Sequence, residues 1–240
     1  MDNDAAVIGQ TDLKLCLILC AIDPTVGGVL IRGDKGTAKS TAARGLAHLM
    51  PKIEVGYDSK VGGLDPYNQK PSSETDSHHD DNGGVATDPP PMRYAESRYI
   101  DTPFVDLPIG ATEDRVLGSI NFSATLKSGG KPIFAPGLLA VANQGFLYVN
   151  EINLLPAHLV NILLDAAAVG VNTVQRERVS MLHPAQFFLV GTMNQEEGSL
   201  RPQLLDRFGL MVDVEAPRDV ALWTEVVRQR ISFKRDEATF

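Results

Sequence analysis

Cysteine is almost missing from this sequence, basic residues are outnumbered by acidic ones, and no apolar run is long. Each shortage removes a class of function. The two cysteines, Cys16 and Cys20, lie four apart in an apolar run (Leu13, Leu15, Leu17, Ile18, Leu19) that reads as a buried helix. Too few ligands surround them for metal or redox chemistry, so a structural role is expected. Lysine and arginine total 22 against 30 aspartates and glutamates, a net charge of −8. That balance argues against broad attraction to nucleic acid or an anionic membrane, and neither is expected as a partner. Nothing approaches the run of about 18 apolar residues that spans a bilayer. The start Met1-Asp2-Asn3-Asp4 lacks the basic and apolar regions of a signal peptide, and a cytoplasmic location is expected.

What is present is enough for one well-packed core: 240 residues, 43% hydrophobic and 22% charged, the proportions of an ordinary globular domain. Apolar runs at Val29-Leu30-Ile31, Thr102 to Leu107, Gly145 to Val149, Phe187 to Gly191 and Leu210 to Val214 read as buried strands. Helical spacing recurs at Asp12 to Ile22, Lys39 to Leu49, Pro136 to Asn143, Pro156 to Ala168 and Asp219 to Ile231. The alternation implies a parallel sheet covered on both faces. From Gly56 to Ser97 the composition shifts to Gly, Pro, Ser, Asp and Asn, which predicts a mobile surface insertion. His78 and His79 stand adjacent in that acidic stretch and are expected to have no metal partner.

Four stretches carry chemistry. Gly33-Asp34-Lys35-Gly36-Thr37-Ala38-Lys39-Ser40 falls between the first strand and the second helix. It matches the phosphate-loop pattern GxxxxGK[ST] except that Ala38 replaces the second glycine. Backbone N–H groups of the loop and the helix N-terminus would surround the phosphates of ATP, Lys39 would neutralise charge, and the Ser40 hydroxyl would bind Mg2+. With Thr41 behind them, these residues are the candidate cofactor-binding set. The Ala38 methyl is tolerable if its φ is negative. Phe146-Leu147-Tyr148-Val149-Asn150-Glu151 is an apolar strand ending in two polar residues. Glu151 is the candidate general base and Asn150 a candidate neighbour of the metal, where it removes a negative charge and is expected to weaken hydrolysis more than binding. Asn194, just after Val190-Gly191-Thr192-Met193, would orient the attacking water. Leu200 to Phe208 supplies Arg201 and Arg207. Arg207 could reach a neighbouring subunit's nucleotide, and the alternative for either arginine is an ion pair within its own chain with Asp206 or Glu215.

Taken together with Val7-Ile8-Gly9-Gln10, Pro108 to Arg115, Pro136 to Ala140 and Asn150 to Leu155, these stretches resemble the AAA+ ATPase subunit of magnesium chelatase and its relatives linked to cobalt chelatase. The resemblance implies a three-layer AAA+ P-loop core over residues 1–240, with the helical lid domain missing or truncated. It implies a nucleotide-dependent ring of identical subunits working with other chelatase subunits to insert Mg2+ or Co2+ into a tetrapyrrole. It also implies hairpins near Asn121 to Lys131 and Asn172 to Met181. The sequence departs from the family pattern at Asn150, where Asp is usual, and at Gln144, Arg178 and Gln195. Two other readings share these motifs: a regulatory ring subunit that binds nucleotide without effective hydrolysis, and a protein-remodelling ATPase of MoxR type.

Overall fold

Alternate residues of the central strands face opposite sides of one sheet, and this alternation divides the core in two. The computed structural model describes residues 9–23, 26–58, 63–65, 67, 96–127, 133–176, 179–216 and 219–235. In chain order its first half comprises α1 (Thr11–Ile22), β1 (Val29–Gly33), α2 (Lys39–Leu49), β2 (Ile53–Asp58), β3 (Gly63–Leu64), β4 (Glu96–Ile100), β5 (Phe104–Leu107), α3 (Glu113–Leu117), β6 (Gly118–Ile120) and α4 (Phe122–Lys127). There follow β7 (Phe134–Pro136), α5 (Leu138–Val141), β8 (Phe146–Val149), α6 (Ala157–Val169), β9 (Val171–Arg176), β10 (Val179–Pro184), β11 (Phe188–Met193), α7 (Pro202–Leu205), β12 (Leu210–Val214) and α8 (Val220–Arg235). Strands β12, β1, β11, β8 and β5 lie in that order in a five-stranded sheet whose pairings are all parallel.

Val29, Ile31, Phe146, Tyr148 and Val190 pack with Leu13 and Leu17 of α1 and Ala42, Ala43 and Leu46 of α2. Leu30, Leu147 and Leu189 point the other way, into a cluster with α3, α5 and α6 that includes Leu139, Val160 and Leu163. Period-two alternation with both faces apolar is what a parallel sheet between two helical layers requires. The three-layer α/β fold expected from the sequence is therefore observed. Cys20 is buried in the α1 face and Cys16 half-buried, both as free thiols. Burial pushes the Cys20 thiol up to about 11, as suits an inert structural cysteine.

Smaller sheets flank this core. The segment read as an insertion begins and ends in regular structure: β2 pairs antiparallel with β4, Gly56 opposite Ser97, and with β3. Its centre, with His78 and His79, lies outside the described residues, as do Val7, Ile8 and Arg178. β9 and β10 form the hairpin expected near Asn172 to Met181. The Asn172 amide Nδ2 lies 2.9 Å from His183 Nε2 across it and donates to the Leu117 carbonyl at 3.2 Å, tying the hairpin to the end of α3. Around the segment Asn121 to Lys131, where a hairpin was expected, β6 and β7 pair antiparallel, and α4 follows β6 in the connection between them.

Candidate functional site

β1, β8 and β11 run parallel, so their C-terminal ends come to one edge of the sheet, and the polar residues that follow each strand meet there. A cavity of about 490 Å³ opens at that edge. Its lining includes Lys35, Gly36, Thr37, Ala38, Lys39, Ser40 and Thr41 from the loop and first turn of α2. Asn150 and Glu151 enter it from the end of β8, and Thr192, Met193 and Asn194 from the end of β11. Of the expected loop set, Gly33 and Asp34 stand just outside the lining. Gly33 has φ 153°, and a Cβ there would come within 2.1 Å of the Val214 carbonyl, so β1 can lie against β12 only with glycine at this place.

The loop folds around its own lysine. Lys39 Nζ donates to the carbonyl oxygens of Gly33 at 2.5 Å and Asp34 at 2.7 Å, and Thr37 Oγ1 donates to Asp34 at 2.9 Å. Burial lowers the Lys39 pKa from the ordinary value, with the charges of Asp34 and Glu151 acting in the opposite sense. The α2 N-terminus has no side-chain cap and no acidic residue in its first turn. Its unpaired N–H groups and positive dipole end therefore face the cavity, an arrangement that attracts anions.

Ala38 overturns one expectation: its φ is 60° and ψ 22°, in the left-handed region. The turn into α2 demands that conformation, and an L-residue other than glycine adopts it at a cost of about 1–2 kcal/mol. We expect Ala38→Gly to gain about 1 kcal/mol net of the greater freedom of the unfolded chain, raising Tm by about 2–4 °C. Calorimetric melting of the two chains measures this, and a lower Tm in the variant would contradict it.

Thr192 organises the opposite wall. It is 1% exposed, its Oγ1 accepts the Glu151 N–H at 3.1 Å, and it donates to Asn150 Oδ1 at 3.1 Å. The hydroxyl bridges the two residues, accepting from Glu151 and giving its proton to the Asn150 oxygen, which is turned toward Thr192. Asn150 thus turns a neutral donor, not an anionic oxygen, to its remaining neighbours. Glu151 itself has φ 54° and ψ 55°, a strained conformation held by the Thr192 bond and by the tight turn Ile152–Leu154 that follows. Asn194 Oδ1 accepts from the Glu196 N–H at 3.1 Å, which leaves its Nδ2 as a donor.

The arginines lie elsewhere. Neither Arg201 nor Arg207 lines the cavity. Arg207 donates to Asn161 Oδ1 at 3.1 Å and to the Asp165 carboxylate, both on α6, an intrachain pairing with residues other than the two expected. Arg201 is exposed at the start of α7. Thr192 and Tyr148 line the cavity without having been singled out in the sequence. A hydroxyl inside an otherwise apolar buried strand needs a partner, and that signal marks both.

The family model described as magnesium chelatase, subunit ChlI, matches residues 119–203. The chain is 50% identical over 236 residues to the magnesium-chelatase subunit ChlI of Porphyra purpurea, covering 96% of this chain and 62% of the relative. It is 48% identical over 238 residues to that of Nostoc sp., covering 98% and 60%. With the chloroplastic ChlI of Chlamydomonas reinhardtii it shares 49% over 236 residues, covering 98% and 54%. The chain thus spans somewhat over half the length of the curated relatives it matches. Among solved structures, a complex between subunits BchI and BchD of magnesium chelatase, built on a 7.5 Å reconstruction, contains a chain that aligns with TM-score 0.76 and 44% identity over 97% of this chain and 67% of that one. With the five-stranded parallel sheet, the phosphate-loop cavity and these likenesses together, the chain belongs to the magnesium chelatase ChlI family.

Proposed function

We propose that this chain is the AAA+ core of an ATP-binding and ATP-hydrolysing subunit that drives insertion of Mg2+ or Co2+ into a tetrapyrrole by partner chelatase subunits. The observation that carries this is the convergence of the loop, Glu151 and Asn194 on one cavity. The α2 N-terminus and the Lys39 ammonium supply positive potential for the phosphates, and Ser40 at the first turn of α2 would hold Mg2+. Bound there, the metal would neutralise phosphate charge. Glu151 would take the proton of the attacking water, and Asn194 Nδ2 would orient that water. Asn150, with its oxygen held by Thr192, would serve the metal's surroundings as a neutral neighbour through water. A second cavity of about 420 Å³, lined by residues that include Gln10, Asp213, Glu215 and Leu222, flanks the same strand end, because Val214 pairs with Gly33. It offers room for the rest of a nucleotide.

The chain would work as a ring of its own copies together with other chelatase subunits. The BchI and BchD names of the structural neighbour support that reading. The ChlI names of the relatives leave the protein-remodelling alternative without support. Among the described residues no helix is long and apolar enough to cross a membrane. A cytoplasmic setting is proposed, with an organelle interior as the alternative, since some relatives are named chloroplastic.

Steady-state phosphate release with Mg-ATP tests the proposal. The native chain is expected to exceed Lys39→Ala. Asn150→Asp is expected to release phosphate about tenfold faster than native, the equivalent of about 1.4 kcal/mol of added transition-state stabilisation from a carboxylate beside the metal. Release by neither the native chain nor Asn150→Asp above the Lys39→Ala blank would contradict it.

A further inference from the structure

We propose that Lys35 and Glu197 form a positioning pair for the Glu151 carboxylate: Glu197 fixes the Lys35 ammonium at the mouth of the cavity, and Lys35 holds Glu151. The inference rests on the reading of Glu151 as the base. Lys35 stands on the phosphate loop, two residues after Gly33, and its side chain is 68% exposed. A lone exposed lysine has no fixed place. Here its Nζ lies 2.5 Å from Glu197 Oε1 and 3.5 Å from Glu151 Oε1, so one cation is shared by carboxylates from two other loops. Without it the two negative charges would face each other across the site and drive Glu151 outward.

Glu197 is built to keep the lysine. Its Oε1 takes the Lys35 ammonium, while its Oε2 is buried with no hydrogen-bond partner. Its backbone carbonyl accepts from Asn153 Nδ2 at 3.3 Å, so the loop after β11 is tied to the turn that follows Glu151. The same turn, Gln195–Glu197, carries the Glu196 N–H that orients Asn194. Three chain segments, around Lys35, Glu151 and Glu197, are thereby linked. The Lys35 ammonium is raised above its ordinary pKa chiefly by the Glu197 bond, and that bond lowers Glu197 in turn. Neither residue is a reacting group. Their effect passes through the place of Glu151, and displacement of a catalytic group by a fraction of an ångström is costly in rate.

The test measures kcat and KM for Mg-ATP in the full chain and in Glu197→Gln, Lys35→Met and the conservative Lys35→Arg. Glu197→Gln is expected to lose about tenfold in kcat with KM within about twofold of native; Lys35→Met is expected to lose as much in kcat and to raise KM as well, since its ammonium also lines the phosphate cavity. Lys35→Arg, which keeps one cation beside both carboxylates, is expected to retain most of the native kcat, and this sets the charge apart from a purely structural defect. A parallel reading follows the Lys35 ammonium by NMR of methyl-labelled lysine: its titration falls in Glu197→Gln. An active native chain whose kcat is unchanged in Glu197→Gln, or whose Lys35 titration does not move, would overturn the pair alone. A native chain that binds Mg-ATP but never turns it over, even as Asn150→Asp, would overturn the Glu151 reading and the pair's role with it.

Discussion

Arg207→Ala is expected to lower ATP turnover about 10³-fold or more, the effect of removing an arginine that stabilises phosphoryl-transfer charge from outside its own site, while Mg-ATP binding by the single chain stays near native. Arg207 does not line the cavity of its own chain. From the turn between α7 and β12 its side chain reaches Asn161 and Asp165 of α6, 35% exposed itself and Asp165 64% exposed. An ion pair so open to water contributes little to folding, about 0–1 kcal/mol, so the variant keeps its fold and a rate loss can be read as chemistry. The pair also presents the guanidinium at the surface, where a neighbouring copy can meet it. Mixing decides between the two roles. Arg207→Ala subunits and Glu151→Gln subunits, each inactive alone, are expected to recover turnover when combined, because a boundary then forms with Lys39 and Glu151 from one chain and Arg207 from the next. Mixtures as inactive as their parts, or an Arg207→Ala chain at native rate, would return Arg207 to a structural role against α6.

Glu151→Gln is expected to cost about 10²–10⁴ in turnover, the range for loss of a positioned general base, with Mg-ATP affinity retained or raised. Its side chain is 18% exposed, enough to reach water and shielded enough to hold a direction. Its backbone is in the left-handed region at φ 54°, and Thr192, 1% exposed, keeps it there through the N–H bond. Glutamine keeps the size and the backbone bond and loses the proton acceptor. Single-turnover phosphate release separates the chemical step from nucleotide exchange. A variant that releases phosphate at the native single-turnover rate would show that Glu151 is not the base.

Both predictions draw on parts of the molecule that differ in how plainly the sequence displays them. The five core strands are legible because each is a short apolar run: β8 and β11 are buried at every position, and a run apolar on both faces has few other places to go. The loop at Gly33 to Ser40 is legible because its parts are contiguous and sit between a strand and a helix. β2 and β4 are not. Four of the five β4 residues are exposed, so it shows no apolar face, and its partner lies beyond a long stretch poor in apolar residues. α5 is shorter than its apolar pattern suggests, since Pro136 belongs to β7 and Gly137 packs against the backbone of Gly118.

The left-handed turn at Ala38 is hidden because the helix start fixes φ there while the residue itself gives no sign of it. The Lys35–Glu197 contact joins residues 162 apart in the chain. No spacing rule reaches that far, and the contact exists because parallel strands bring their ends to one edge. Asn150 shows the reverse case: its departure from the pattern is plain in the sequence, but that its oxygen faces Thr192 follows only from the hydroxyl that bridges it to Glu151.

The central claim is that the cavity between the α2 N-terminus and the ends of β8 and β11 receives the phosphates of ATP. Isothermal titration of Mg-ATP into the native chain and into Lys39→Ala tests it most directly. The account predicts one site per chain in the native protein and an affinity about 10- to 100-fold weaker in the variant, the loss of charge-assisted bonds to phosphate. No binding by the native chain, or equal affinity in both, would contradict it.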